Sequence, residues 1–203
     1  MFGSTFNLSE LNGSNGFAIN GIGVFAQSGW SVSSAGDVNG DGFDDLIIGA
    51  PTVAPNGIPN AGQSYVVFGS NSGFGAGLDL STLDGSNGFA INGIANYFSG
   101  RSVSSAGDVN GDGFDDLIIG ATAADPNGIG SGQSYVVFGR NSGLDASFNL
   151  STLDGSNGFA INGIAAFDNS GRSVSSAGDV NGDGFDDLII GAYLASQIGR
   201  AHV

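Results

Sequence analysis

A twenty-residue run, SVSSAGDVNGDGFDDLIIGA, occurs three times without a change, at residues 31–50, 102–121 and 173–192. The copies start 71 residues apart, at 31, 102 and 173, so the chain consists of repeats of one structural unit. Two other blocks recur with the same spacing: GFAINGI, three times, and GQSYVVFG, twice. The fold must therefore be a stack of similar units, each burying its apolar residues against the next.

Each unit offers four short segments with the composition of β-strands. These are SVSSAGDV, DLIIGA, SYVVF and GFAINGI, which are rich in β-branched and aromatic residues or alternate apolar and small ones. Helices are disfavoured because the chain has 38 glycines, each of which costs about 1 kcal/mol inside a helix. Four strands in a unit of this length predict an all-β fold, a β-propeller built of four-stranded blades. A parallel β-helix fits less well, because its coils are shorter.

The two ends of the sequence match adjacent halves of one repeated strand. Residues 199–203 align with 62–66, and residues 1–3 align with 67–69. We therefore predict one repeat domain over 1–203 with units of about 1–66, 67–136 and 137–203, and with the terminal strand split between the C-terminus and the N-terminus. Three units are few for a ring of four to eight blades. We expect the ring to be completed by a homodimer of six blades, or as part of a larger propeller.

The centre of the run, DVNGDGFDD, has the spacing of a loop that wraps a calcium ion. Ca²⁺ takes six to eight oxygen ligands, and loops of this kind supply them from positions 1, 3, 5, 7 and 9, with a glycine at position 6 for the turn. The sequence predicts one Ca²⁺ per repeat, three in total. The predicted metal ligands, with phenylalanines contributing their backbone carbonyls, are Asp37, Asn39, Asp41, Phe43, Asp45, Asp108, Asn110, Asp112, Phe114, Asp116, Asp179, Asn181, Asp183, Phe185 and Asp187.

Three other interpretations fit this loop less well than a calcium site. An EF-hand requires a glutamate at position 12 and flanking helices, whereas position 12 here is Ile48 in a strand-like segment. A turn without metal would place three carboxylates close together with no cation to offset their repulsion, and Mg²⁺ fits such a loop less well than Ca²⁺. The remaining acid of the loop, Asp44 in the first copy, is expected to be solvated.

Charge and composition exclude several classes of partner. The chain has nineteen acidic and four basic residues, a net charge of −15, which repels nucleic acid and anionic lipid. No apolar stretch approaches the roughly 18 residues that cross a bilayer, so no membrane insertion is expected. The N-terminus lacks the features of a signal peptide. Cysteine is absent and the one histidine, His202, is expected to be a bystander, so we predict no catalytic residues, no other cofactor and no enzymatic activity.

The unit resembles the FG-GAP repeat of the integrin α-subunit propeller. The family takes its name from a Phe-Gly and a Gly-Ala-Pro, present here as Phe68-Gly69 and Gly49-Ala50-Pro51. The resemblance implies a calcium-stabilised propeller that serves as a scaffold for protein or glycan binding in adhesion, located outside the cell or on its surface. Two alternatives stay open: an engineered or excised self-assembling repeat array with no ligand, and an FG-GAP-containing hydrolase.

Overall fold

The computed structural model describes residues 4–142 and 145–195, and the fold in these ranges is all-β, as predicted. The helical elements there are 3₁₀ turns of three residues, Leu8–Glu10, Pro55–Gly57, Leu80–Thr82 and Leu150–Thr152, and none could cross a membrane. The strands are β1 Ala18–Asn20, β2 Ser31–Gly36, β3 Asp45–Ala50, β4 Gln63–Val67, β5 Gly77–Asp79, β6 Gly88–Asn92, β7 Ser102–Gly107, β8 Asp116–Ala121, β9 Gln133–Val137, β10 Ser147–Asn149, β11 Gly158–Asn162, β12 Ser173–Gly178 and β13 Asp187–Gly191.

The strands form propeller blades in which each strand pairs antiparallel with the next. The first blade is β2-β3-β4-β6, the second is β7-β8-β9-β11, and β12 and β13 form the inner half of a third. The four strand segments predicted for each unit are therefore confirmed in the first two blades. Short parallel strands join successive blades, since β10 pairs with the outer edge of β6 and β5 pairs with β1. The strands proposed to cross from one chain end to the other, at 1–3 and 199–203, lie outside the described residues.

The blades pack face to face, and alternation along the strands decides which face each residue serves. Ile47 lies in a cluster between the first and second blades, whereas Ile48 lies in a cluster on the opposite face of its sheet. In the second blade, Ile118 packs toward Leu188 and Ile190 of the third blade. All six residues of β8 are buried, because the second blade has a neighbour on each face. These features make the chain a fragment of a β-propeller.

A β-bulge at the end of the first strand of each blade directs the chain into the aspartate-rich loop. The pairing of β2 with β3 shifts register between Ser34 and Gly36, and the same shift occurs in the other two copies. Gly36 then has a φ of 72°, in the left-handed region that glycine adopts at little cost. The bulge therefore starts the loop at the same place in every blade, between the first and second strands.

Candidate metal-binding loops and the joints between blades

The first residue of each loop holds the loop together through its carboxylate. Oδ1 of Asp37 accepts hydrogen bonds from the backbone N–H groups of Gly40 (2.8 Å) and Asp41 (3.0 Å), and Oδ2 accepts one from Gly42 (2.9 Å). The second and third loops repeat the same three bonds from Asp108 and Asp179. Gly42 has a φ of 88°, so the position that the sequence assigns to the sharp turn does require glycine.

The next two predicted ligands follow the same pattern of short local bonds. Asn39 Oδ1 accepts from the N–H of Asp41 at 2.8 Å, and Asp41 Oδ1 accepts from the N–H of Phe43 at 2.9 Å. The Asn39 side-chain amide also donates to Asp41 Oδ2 at 3.0 Å. The structure therefore brings the residues at positions 1, 3 and 5 together on one compact loop.

The last predicted carboxylate of the loop is set apart, because it is buried at the start of the second strand. Asp45 has no exposed surface, and its two oxygens accept from the N–H groups of Val38 (3.0 Å) and Gly69 (2.8 Å). Burial is the main cause that raises the pKa of Asp45 to about 6; the negative charges of Asp41 and Asp37 add to it, and the two backbone hydrogen bonds act against it. In the second loop the same causes raise the pKa of Asp116 to about 7.

These loops do not gather their acids into a finished coordination shell. Within 4–142 and 145–195, no three acidic or histidine side chains lie close enough together to hold a metal ion. The physical reason is that the loop aspartates accept hydrogen bonds from backbone N–H groups, and these groups separate the negatively charged carboxylates from one another. The assignment of individual ligands therefore stays a prediction.

The chemistry of the donor set nevertheless suits a hard cation. The candidate ligands are carboxylate, amide and carbonyl oxygens, which is the ligand type of Ca²⁺. Asp45 and Asp116 are fully buried, yet the groups that shift their pKa values include other acids and no arginine. Buried charges in proteins are usually paired or bound to a metal. A cation in the loop would favour the charged form of both carboxylates, against the burial that chiefly raises their pKa values and the repulsion from neighbouring acids that adds to it.

One acid of each loop, Asp44, Asp115 or Asp186, is not among the predicted ligands and is termed the fourth loop acid. In two of the three copies it is not simply solvated, which corrects the sequence-based expectation. Asp115 Oδ2 accepts a hydrogen bond from the N–H of Asp37 in the preceding blade at 2.8 Å, and the N–H of Asp115 donates back to the Asp37 carbonyl at 3.2 Å. Asp186 makes the same pair of bonds with Asp108, at 2.9 and 3.1 Å. Asp44, which has no preceding blade in this chain, is exposed as expected. In the second and third loops this acid thus clamps one blade to the aspartate-rich loop of its neighbour.

A tryptophan in the first blade forms part of the same joint. Trp30 occupies the position held by Arg101 and Arg172 in the later copies. The Arg101 guanidinium lies over the Trp30 ring, 5.6 Å from its centroid, which is a cation–π contact. The side chain at position 30 therefore takes part in the packing of the first blade against the second.

A polar groove borders the first loop. It has a volume of about 340 Å³ and lies between Asn39 and Asp41 of the loop, Ser86 of the turn before β6, and Asn141 of the second blade. Its lining presents carboxylate, amide and hydroxyl groups, the functional groups that hydrogen-bond to polar ligands.

The fold and these loops define a class of protein: a β-propeller whose blades carry an aspartate-rich loop between their first and second strands. The FG-GAP repeat family matches residues 28–67, 99–137 and 170–203, more than half of the chain. The chain belongs to the FG-GAP repeat family.

Its relatives include proteins with different names. The chain is 34% identical over 165 residues to integrin alpha-4 of Xenopus laevis, which covers 80% of this chain and 14% of that protein. It is 30% identical over 166 residues to human integrin alpha-IIb, again covering 80% of this chain and 14% of that protein. It is 32% identical over 181 residues to phosphatidylinositol-glycan-specific phospholipase D of Bos taurus, covering 87% of this chain and 20% of that protein. The chain thus spans a fifth or less of the length of these relatives.

Proposed function

We propose that this chain is a calcium-stabilised β-propeller scaffold that binds a protein or glycan ligand, as in adhesion outside the cell or on its surface. The observation that carries the proposal is the set of three identical oxygen-rich loops, two of which end in a fully buried carboxylate with no basic group acting on its pKa. The integrin relatives support the adhesion part, by their names alone.

Calcium would be held in each loop by the oxygens of the residues at positions 1, 3, 5, 7 and 9, which in the first loop run from Asp37 to Asp45. When bound, the ion supplies positive charge that cancels the repulsion between carboxylates. The hydrogen bonds of the ligand residues determine which strands the ion would stabilise. Because Asp45 also accepts from Gly69, which follows β4, the loop is tied to the third strand as well as to the β2–β3 hairpin.

The magnitude of this stabilisation follows from mass action. A ligand that binds only the folded state stabilises it by RT ln(1 + [L]/Kd), about 2.7 kcal/mol per site at a hundredfold excess over Kd. Three such sites would contribute on the order of the whole stability of a typical domain, which is about 5–15 kcal/mol. Chelation is therefore expected to lower the melting temperature markedly.

The experiment compares Asp112→Asn with a matched exposed control, Asp79→Asn, which lies in β5 away from any loop. Each protein is dialysed against millimolar Ca²⁺, then against buffer, and its calcium content is measured by elemental analysis. We expect three ions per chain for the parent and the control and two for Asp112→Asn. Calcium-free parent protein, or equal calcium in both variants, would contradict the metal proposal.

Ligand binding needs a separate measurement. The chain is immobilised and probed with arrays of glycans and extracellular matrix proteins, in Ca²⁺ and in EDTA. A specific, saturable signal that depends on calcium supports the scaffold function. If no protein or glycan binds while the three ions are present, the adhesion part fails and the metal part survives.

A hydrolase is the second candidate, because phospholipase D relatives contain the same repeats. We propose that this region is not itself catalytic. Most acids of its loops are engaged in loop and joint hydrogen bonds, and no described histidine is available to act as a base for a serine nucleophile. Purified protein is assayed on ester, phosphodiester and glycoside substrates; turnover that disappears with one Asp or Ser substitution would establish catalysis here.

A further inference from the structure

The joint between neighbouring blades is built twice from the same contacts. In each joint the N–H of the first loop residue meets the carboxylate of the next blade's fourth loop acid, as described for Asp37 with Asp115 and Asp108 with Asp186. A serine at the start of the inner strand also donates to a carbonyl of the next blade: Ser31 to Gly100 at 2.9 Å, and Ser102 to Gly171 at 2.7 Å. The joint is therefore a repeating, directional interface with a donor face and an acceptor face.

Apart from these bonds, the joint needs glycine on the donor face, because the neighbour approaches it closely. A Cβ at Gly36 would overlap the Asp115 carboxylate, and a Cβ at Gly40 would overlap the Phe114 ring. The second joint repeats both contacts, at residues 107 and 111. At the corresponding glycines of the third blade, Gly178 and Gly182, nothing lies within 4 Å.

The outward faces of the first and third blades hold the two unmatched halves of this joint. On the third blade, no described residue accepts a hydrogen bond from the N–H of Asp179, the counterpart of Asp37 and Asp108. On the first blade, the exposed Asp44 is the counterpart of the acids that accept that bond elsewhere. One face thus carries the free donor, and the other carries the free acceptor.

Apolar side chains are exposed at these two faces and buried at the same positions inside the stack. Val32 of the first blade is 68% exposed, whereas Val103 of the second blade is 6% exposed, because it packs against the first blade. On the third blade, Ile189 is 44% exposed, whereas Ile118 is fully buried. The side chains that a neighbouring blade would cover are therefore present on both faces.

One strand is also left with a free edge. The outer strand of the first blade, β6, pairs with β4 on one side and β10 on the other. The corresponding strand β1 pairs with β5, the counterpart of β10, and has no partner on its other edge within the described residues. An unpaired edge of this kind is a template for one more strand. The strand it lacks is the counterpart of β4, the third strand of a blade that would precede the first.

We propose that the two outward faces bind each other in two copies of this chain, which close a six-bladed ring about a two-fold axis. In each new joint, the N–H of Asp179 from one copy donates to the Asp44 carboxylate of the other. Val32 and Ile189 become buried, and the free edge of β1 comes to lie beside the third blade of the other copy. Six blades lie within the range of four to eight that propellers use, and a closed dimer is the commonest symmetric oligomer. The contacts do not require calcium.

The experiment measures the mass of the full chain in solution by light scattering at micromolar concentration, in Ca²⁺ and in EDTA. The chain mass is 20.1 kDa, and we expect about twice that value for the parent. Two variants test the joint: Asp44→Ala removes the acceptor, and Val32→Asp places a charge in the apolar contact. Matched controls are Asp79→Ala, another exposed acid, and Val24→Asp, at a loop valine that is 94% exposed.

Because a dimer contains two joints, losing one charge-assisted hydrogen bond in each is expected to raise its dissociation constant on the order of 100-fold. Asp44→Ala and Val32→Asp should shift to the monomer mass with the circular dichroism spectrum of a β protein retained, and both controls should stay dimeric. A monomeric parent, an open ladder of larger species, or joint variants that dimerise as well as the controls would overturn the proposal. A dimer that persists in EDTA while calcium fails to bind would separate this inference from the metal proposal.

Discussion

Replacing Asp115 with alanine tests whether the fourth loop acid clamps neighbouring blades. The substitution removes the acceptor for the Asp37 N–H. This hydrogen bond is 2.8 Å long, is partly buried, and joins two residues that are 78 positions apart in the sequence. Hydrogen bonds to charged groups contribute about 1.5–3 kcal/mol. Because water can reach part of this site, we take the lower end, about 1.5 kcal/mol. For a chain of this size that corresponds to a fall of about 3–6 °C in melting temperature.

The control for this substitution must account for charge. The chain carries a net charge of −15, so removing any acid relieves repulsion and hides part of the cost. Asp79→Ala makes the same charge change at an exposed residue outside the joint, and we expect its free energy of unfolding to stay within about 0.5 kcal/mol of the parent. Asp115→Asn should fall between them, because an amide oxygen accepts the bond without the charge. Urea unfolding at one protein concentration gives all three values, and equal stabilities for Asp115→Ala and Asp79→Ala would refute the clamp.

Two further substitutions probe the joint. Gly120→Ala would push a Cβ into the carbonyl oxygen of Gly171 in the next blade, so we expect the free energy of unfolding in urea to fall by about 2–3 kcal/mol. The control Gly75→Ala, whose Cβ would meet nothing closer than 4.0 Å, should change stability little, and similar losses for both variants would show that the close approach is absent. Trp30→Ala should lower the free energy of unfolding by about 1 kcal/mol, because it removes the ring beneath Arg101. Unfolding is followed by circular dichroism, since the variant has no tryptophan left to report by fluorescence, and an unchanged stability would mean that the contact contributes nothing.

The strands and loops were predictable because their signals are local. The apolar run in DLIIGA and the β-branched residues of SYVVF define strands by themselves, and the glycine at position 6 of the loop permits the turn that follows the bulge at Gly36. The order of the four main strands in a blade follows equally directly, since each pairs with the next of these four, whereas the short strands β5 and β10 between them pair with the outer strand of the preceding blade.

The role of the fourth loop acid was not predictable, because its partner is in another repeat. All nine residues of DVNGDGFDD are identical in the three copies, so comparing the copies cannot separate a ligand from a joint residue. Burial was hidden for the same reason. The segment SVSSAG is largely buried in β7 and has no buried residue in β12, although the two sequences are the same. Position in the stack determines the environment, and no local pattern encodes that position.

The loop and the joint share one residue, which links metal binding to the packing of blades. The Asp37 carboxylate holds its own loop through three backbone N–H groups, while the Asp37 N–H and carbonyl contact Asp115 of the next blade. A cation that fixes this carboxylate also fixes the backbone that the next blade grips. If the loops bind calcium as proposed, each ion would therefore stabilise a joint as well as a hairpin. The end face that carries Asp179 would gain the same support only when the Asp44 carboxylate of a neighbouring copy accepts its N–H, so ring closure and metal binding would reinforce each other.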